Sequence, residues 1–274
     1  ALVGAGGKTS TLYALARQAA DSGRTVVVTT TTHILRHPGL PLVEEPTPER
    51  LRAALAQHGV VTVGTVFRGD KLSGAGTPEE LRRAADVVLV EADGAKRLPL
   101  KAPAEYEPVI PPCADAVAAV AGMDAVGQAV GVACHRPERV CALLGVGAEH
   151  VLTPEDAALL LASPQGGRKG VGEAMAFRCV LNKADTPERS AHASAVAGRL
   201  ADGDYTARSP ERTRDEVGQL AHALNEMAAR VERNVAELRE TARRKQQLVD
   251  NVAHELRTPL TAVGGYAEYI QRAE

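Results

Sequence analysis

Short β-branched or aliphatic runs alternate along the first 190 residues with stretches whose apolar positions fall three and four apart, the rhythm of a sheet wound with helices. Leu2-Val3 precedes a glycine-rich turn, and Leu12, Leu15 and Ala16 follow at helical spacing. This predicts strand, turn and helix. Residues 25–32 form a β-branched run ending at His33, which predicts a second strand. After a Pro-rich excursion over 38–48, the pattern predicts a helix over 49–57, a strand over 60–66, an exposed loop over 68–76 and a helix over 78–85. Val87 to Val90 is continuously apolar, as in a strand buried on both faces. Residues 116–121 and 176–181 read as later strands. Helices are expected from Pro137 and from Thr153-Pro154, where Pro takes the first position. The expected fold class is α/β, a P-loop NTPase-like parallel sheet with helices on both faces.

Aromatic residues make up 3% of the chain and Trp is absent, so the core must be built from Ala, Val and Leu. A formal charge of −2 gives no general attraction to nucleic acid or an anionic membrane. Cys113, Cys134, Cys141 and Cys179 form no CxxC pair, which reads as reduced structural thiols in a cytoplasmic protein. No run of about 18 apolar residues exists to span a bilayer. Ala1 falls inside the first predicted strand, so the natural start is expected upstream.

The candidate chemistry begins at Gly4-Ala5-Gly6-Gly7-Lys8-Thr9-Ser10. A glycine-rich turn between strand and helix lets backbone N–H groups face phosphate oxygens, and the helix adds the positive end of its dipole. Gly4, Gly6, Gly7 and Ser10 would cradle the phosphates, Lys8 would reach the β- and γ-phosphates, and Thr9 would offer its hydroxyl to Mg²⁺. The segment resembles the shorter GGxGKT form of the loop, with Ala5 in place of one Gly. Glu91 and Asp93 end the apolar run where ligands meet a parallel sheet. Either could hold Mg²⁺ or polarise water. Thr31, Thr32 and His33 at the end of the second strand are candidate contacts to phosphate, Mg²⁺ or an acceptor, or else plain β-formers with a helix cap. Asn182-Lys183-Ala184-Asp185 follows the last strand as an NKxD tetrad. Its carboxylate can accept from the ring N–H and exocyclic amine of guanine, which favours GTP over ATP.

Residues 3–10 (VGAGGKTS), 28–34 (VTTTTHI), 91–101 (EADGAKRLPLK), 106–111 (YEPVIP) and 180–185 (VLNKAD) together resemble the YqeC family. The resemblance covers 1–190. Members of that family are regarded as accessory proteins for selenium-dependent molybdenum hydroxylases. It implies a nucleotide-binding P-loop domain in selenium or molybdenum cofactor maturation, with such a hydroxylase or its maturation proteins as partners. Lys96, Arg97 and Lys101 fall in its signature and could meet a phosphorylated or anionic partner.

From about residue 200 the pattern changes. Val217, Leu220, Leu224, Met227, Val231 and Leu238 follow a coiled-coil seam, and residues 191–245 resemble part of a HAMP module. Residues 246–274 include Asn251 to Leu260, which resembles the phosphoacceptor box of sensor histidine kinases. That resemblance implies phosphorylation on His254, with Glu255 assisting proton removal, a response regulator as partner and a homodimer through long helices. The kinase ATP-binding boxes do not occur before Glu274, so the segment is not expected to phosphorylate itself unaided. A natural fusion, an engineered chimera and an assembly error all predict this joining of two patterns.

Overall fold

The computed structural model describes residues 1–202. The chain divides into two units, Ala1–Asp204 and Tyr205–Glu274, and the second lies outside the described residues. So do the coiled-coil seam, His254 and Glu255.

The chain opens with β1 (Leu2–Gly4), α1 (Lys8–Asp21), β2 (Val26–Thr30), β3 (His33–Leu35), β4 (Leu42–Val43), α2 (Pro48–His58) and β5 (Val60–Val63). It continues with β6 (Thr65–Arg68), β7 (Lys71–Ser73), α3 (Pro78–Arg82), β8 (Val87–Glu91), β9 (Leu100–Lys101) and β10 (Ala116–Gly122). After a 3₁₀ turn at Met123–Ala125 come α4 (Val130–Ala133), β11 (Cys134–His135), α5 (Pro137–Leu144), α6 (Pro154–Ala162), β12 (Ala176–Asn182) and α7 (Pro187–Asp202).

Seven strands form one sheet in the order β12-β10-β1-β8-β2-β5-β4, and every pairing in it is parallel. Alternation along β2 shows how both faces are covered. Val26 and Val28 pack with Leu12 and Ala16 of α1. Val27 points the other way, against Leu51 and Leu55 of α2 and Leu81 of α3. Farther along the sheet Val117, Ala119 and Ala121 of β10 meet Val140 of α5, Leu160 and Leu161 of α6 and Val196 of α7. The core is built from Val, Leu and Ala as composition required, and helices lie on both faces.

Two strand assignments differ from expectation. The run over 60–66 is broken at Gly64 into β5, in the main sheet, and β6, in a separate antiparallel sheet of order β3-β7-β6. A Cβ at Gly64 would lie 2.7 Å from the Ser73 carbonyl oxygen, so the residue at which the chain crosses between the sheets must be glycine. The loop expected over 68–76 instead contains β7, anchored by a fully buried Leu72. One buried residue among polar neighbours carries no periodic signal.

Four helices start with the same device. Thr47, Thr77, Thr153 and Thr186 each precede a proline at the first helical position and accept an N–H of the first turn: Arg50, Glu80, Asp156 and Arg189 respectively. Thr77 with Glu80 and Thr153 with Asp156 complete capping boxes. By contrast α1 starts at Gly7 with no side-chain cap, as the short helices α4 and α5 also lack one.

Candidate functional site at the carboxyl edge of the sheet

The loop after β1, the carboxylates after β8 and the tetrad after β12 all emerge at the carboxyl ends of parallel strands, the edge where open α/β sheets bind ligands. The loop is tightly held. Gly4 N–H donates to Asp93 Oδ2 at 3.0 Å, Ala5 N–H to the Val120 carbonyl at 2.8 Å, and Gly6 N–H to the Leu98 carbonyl at 3.0 Å. These three amides are therefore occupied. The first-turn N–H groups of the uncapped α1 are what remains for an oxyanion.

Three loop glycines are obligatory on steric grounds, Gly4 among them, where a Cβ at φ +92° would lie 2.4 Å from the Val120 carbonyl oxygen. A Cβ at Gly6 (φ +76°) would lie 2.1 Å from the Gly122 backbone nitrogen, and at Gly7 (φ +117°) 2.2 Å from Asn182 Nδ2. The last contact reports a bond between distant motifs, because Asn182 Nδ2 donates to the Gly6 carbonyl at 2.8 Å. Thus the first half of the tetrad touches the loop itself.

Lys8 is buried and folds back across the loop, donating from Nζ to the Gly4 carbonyl at 2.7 Å. The same ammonium lies 3.1 Å from Asp93 Oδ1, an ionic contact without hydrogen-bond alignment. Lys101 Nζ lies 3.0 Å from Asp93 Oδ2 and 2.8 Å from Glu107 Oε2, and it donates to the Gly94 carbonyl at 2.7 Å. Arg136 closes the chain of charges, 3.0 Å from Glu107 Oε1. Burial alone would raise the Glu107 carboxyl, but Lys101, Arg136 and the Ala104 N–H outweigh it and hold the group at about 2. Burial, with help from the Arg136 and Lys101 cations, lowers His135 beside them.

Glu91 is placed differently from Asp93. Thr9 Oγ1 donates to its Oε2 at 2.8 Å, and Thr30 Oγ1 donates to its backbone carbonyl at 2.7 Å. Burial pushes the Glu91 carboxyl up, while Lys8 and the Thr9 hydroxyl act against it. The Thr9 hydroxyl and the Glu91 carboxylate are hard oxygen donors, the class that Mg²⁺ takes. Asp93 is already neutralised by two lysines. Among the described residues, no group of three or more His, Cys, Asp or Glu side chains is gathered to hold a metal by protein ligands alone. Mg²⁺ commonly binds through one or two protein oxygens and the phosphates of its substrate.

The other candidates divide. Lys183, at φ +58°, reaches Asp124 Oδ2 at 2.6 Å, whereas Asp185 is exposed and pairs with Arg189 at 3.2 Å. Its own backbone N–H and then the Arg189 guanidinium hold the Asp185 carboxyl below its ordinary value. Ser10 is exposed at the start of α1. Thr31 Oγ1 is committed to the Val109 carbonyl at 2.7 Å, Thr32 N–H donates to Thr30 Oγ1 at 3.0 Å, and the exposed His33 lies against Phe67. Lys96 and Arg97 are exposed on a left-handed turn just before Leu98, which touches the loop. Lys101, expected to be open to an anionic partner, is buried and paired; that expectation is corrected by the depth of Asp93, which needs its charge.

Sequence reasoning missed Asp124, Glu107 and Arg136. Asp124 had a findable signal, since it lies two residues beyond β10 on the same edge. Glu107 lay inside the quoted 106–111 segment without a role assigned to it, and Arg136 carried no signal, because only tertiary structure joins the two.

The model of the YqeC protein family matches residues 1–138. The chain belongs to the YqeC family. It is 36% identical over 183 residues to "Uncharacterized protein YqeC" of Escherichia coli (strain K12), which covers 62% of this chain and 70% of that protein. Two further models match beyond it, the HAMP domain at 192–233 and the His Kinase A phosphoacceptor domain at 244–274. "Sensor histidine kinase MtrB" of Mycobacterium tuberculosis (strain ATCC 25618 / H37Rv) is 40% identical over 84 residues, 31% of this chain and 14% of the kinase. "Sensor histidine kinase YclK" of Bacillus subtilis (strain 168) is 36% identical over 70 residues, 26% of this chain and 15% of the kinase. No solved structure matches. The HAMP match begins inside α7, whose Val196 is fully buried in the core shared with α6. No helix among the described residues is long and apolar enough to cross a membrane.

Proposed function

We propose that this chain is a P-loop NTPase-like protein that binds a nucleoside triphosphate with Mg²⁺, GTP in preference to ATP. In this reading it hydrolyses the nucleotide or passes on its terminal phosphoryl group during selenium or molybdenum cofactor maturation. Its partners are then a molybdenum hydroxylase or that enzyme's maturation proteins. The observation that carries the reading is the convergence of two distant segments on one loop, Glu91 bonded to Thr9 and Asn182 bonded to Gly6, with Lys8 folded back onto Gly4.

Each residue then has a task. The phosphates enter at the uncapped start of α1, and Lys8 exchanges its Asp93 contact for a phosphate oxygen. Thr9 and Glu91 would hold Mg²⁺, which supplies neutralisation of charge on the transferring phosphoryl group. Asn182 braces the loop, while Lys183 and the outward-facing Asp185 read the base. Phosphate release tests the reaction. Glu91→Gln is expected to lower Mg²⁺-dependent release about 100-fold or more while nucleotide still binds. Wild-type chain that binds nucleotide tightly and releases no phosphate would instead be a scaffold holding nucleotide without turnover.

A second reading is favoured by the HAMP and phosphoacceptor matches, a signalling chain that dimerises through its C-terminal segment and serves a response regulator. Supplied with a separate kinase catalytic domain and ATP, the chain would then gain acid-labile phosphate that His254→Gln abolishes. Absence of labelling in the wild type rejects it.

A further inference from the structure

We infer that the groove beside the start of α1 is a second-ligand subsite for a small molecule carrying carboxylate or phosphate groups. The groove holds about 430 Å³, within the range of small-molecule sites. One wall is α1, through Thr9, Ser10, Tyr13 and Arg17; the other is the segment after β3, through Arg36 and His37.

Its charge is one-sided. Arg17 and Arg36 enter it from opposite walls, no carboxylate lines it, and neither guanidinium has an ion-pair partner among the described residues. Other arginines of this surface also lack an ion pair among the described residues, Arg24, Arg68 and Arg83 among them, but Arg17 and Arg36 are the two that line one groove. Guanidinium forks left unneutralised in one groove can give bidentate bonds to carboxylate or phosphate groups that enter it. The wall between them is fixed in place. Tyr13 Oη donates to the Leu35 carbonyl at 3.1 Å, and its ring lies 4.7 Å from that of His37.

At its inner end the groove reaches Thr9, the residue bonded to Glu91. A ligand there abuts the turn that faces the terminal phosphate in the proposed function, the place of an acceptor. That role rests on the nucleotide reading, but anion binding in the groove does not.

The test is calorimetric titration without nucleotide, using citrate for carboxylates and glycerol 3-phosphate for phosphate esters. Wild type is expected to bind at least one probe. The double variant Arg17→Ala/Arg36→Ala should weaken that binding about tenfold or more, Arg17→Lys/Arg36→Lys should recover part of it, and Arg52→Ala on α2 should leave it unchanged. Both arginines are exposed, so the variants keep the fold, which circular dichroism verifies. Binding of citrate alone assigns a carboxylate ligand and of glycerol 3-phosphate alone a phosphate ester. Failure of both probes, or binding indifferent to the two arginines, overturns the proposal. Because nucleotide is left out, either result is independent of whether the chain binds GTP.

Discussion

Lys101 lies between two carboxylates in the interior, 3.0 Å from Asp93 and 2.8 Å from Glu107, and removing its charge would leave both short of a partner. Breaking a buried ion pair from one side costs about 3–5 kcal/mol, so Lys101→Met should destabilise the chain by that amount in urea unfolding. A loss under about 1 kcal/mol would contradict the network. Glu107 adds a pH signature. Its carboxyl is held at about 2 in the fold against an ordinary 4.5, so it contributes stability that is complete above the ordinary value. That contribution fades as pH falls from about 4.5 through 2. Acid unfolding followed over this window should be shallower in Glu107→Gln than in wild type, and identical slopes would remove Glu107 from the account. In the sequence Glu91 and Asp93 are equivalent acids two residues apart. The structure separates them, because one meets the Thr9 hydroxyl and the other two ammonium groups. No local pattern carries that difference.

At the level of elements, what sequence made legible follows chemistry that is local. Thr-Pro marks the starts of α2, α3 and α6, and the apolar run from Val87 marks β8, whereas α7 was not expected. The sheet β3-β7-β6 was not legible, since it depends on one buried leucine in a polar stretch and a glycine crossing. Leu72→Ala is therefore expected to cost about 2–5 kcal/mol, a core-sized loss from a segment that reads as surface loop. Thermal unfolding would show it, and a loss under about 0.5 kcal/mol would mean that β7 is not anchored as described. The uncapped start of α1 belongs here too. Where α2, α3, α6 and α7 begin with a threonine hydroxyl on a first-turn amide, this one begins with glycine and no side-chain cap.

For the molecule as a whole, strand order brings together what sequence scatters. With β1 between β8 and β10, and β12 next to β10, residues 4–9, 91–93, 124 and 182–185 share one edge although up to 181 positions separate them. The motifs were legible singly; their meeting was not, because register and order are properties of the sheet. The YqeC family match covers residues 1–138 of this unit, and the HAMP and phosphoacceptor matches cover 192–233 and 244–274. Nucleotide binding is the claim on which the account of this edge depends. It is tested most directly by titrating GTP and ATP with Mg²⁺ into the wild type, Lys8→Ala and Asp185→Ala. The account predicts tighter binding of GTP than of ATP in the wild type, about 100-fold or greater loss in Lys8→Ala, and equal affinity for the two nucleotides in Asp185→Ala. Binding of neither nucleotide to the wild type, or affinity unchanged by Lys8→Ala, would contradict it.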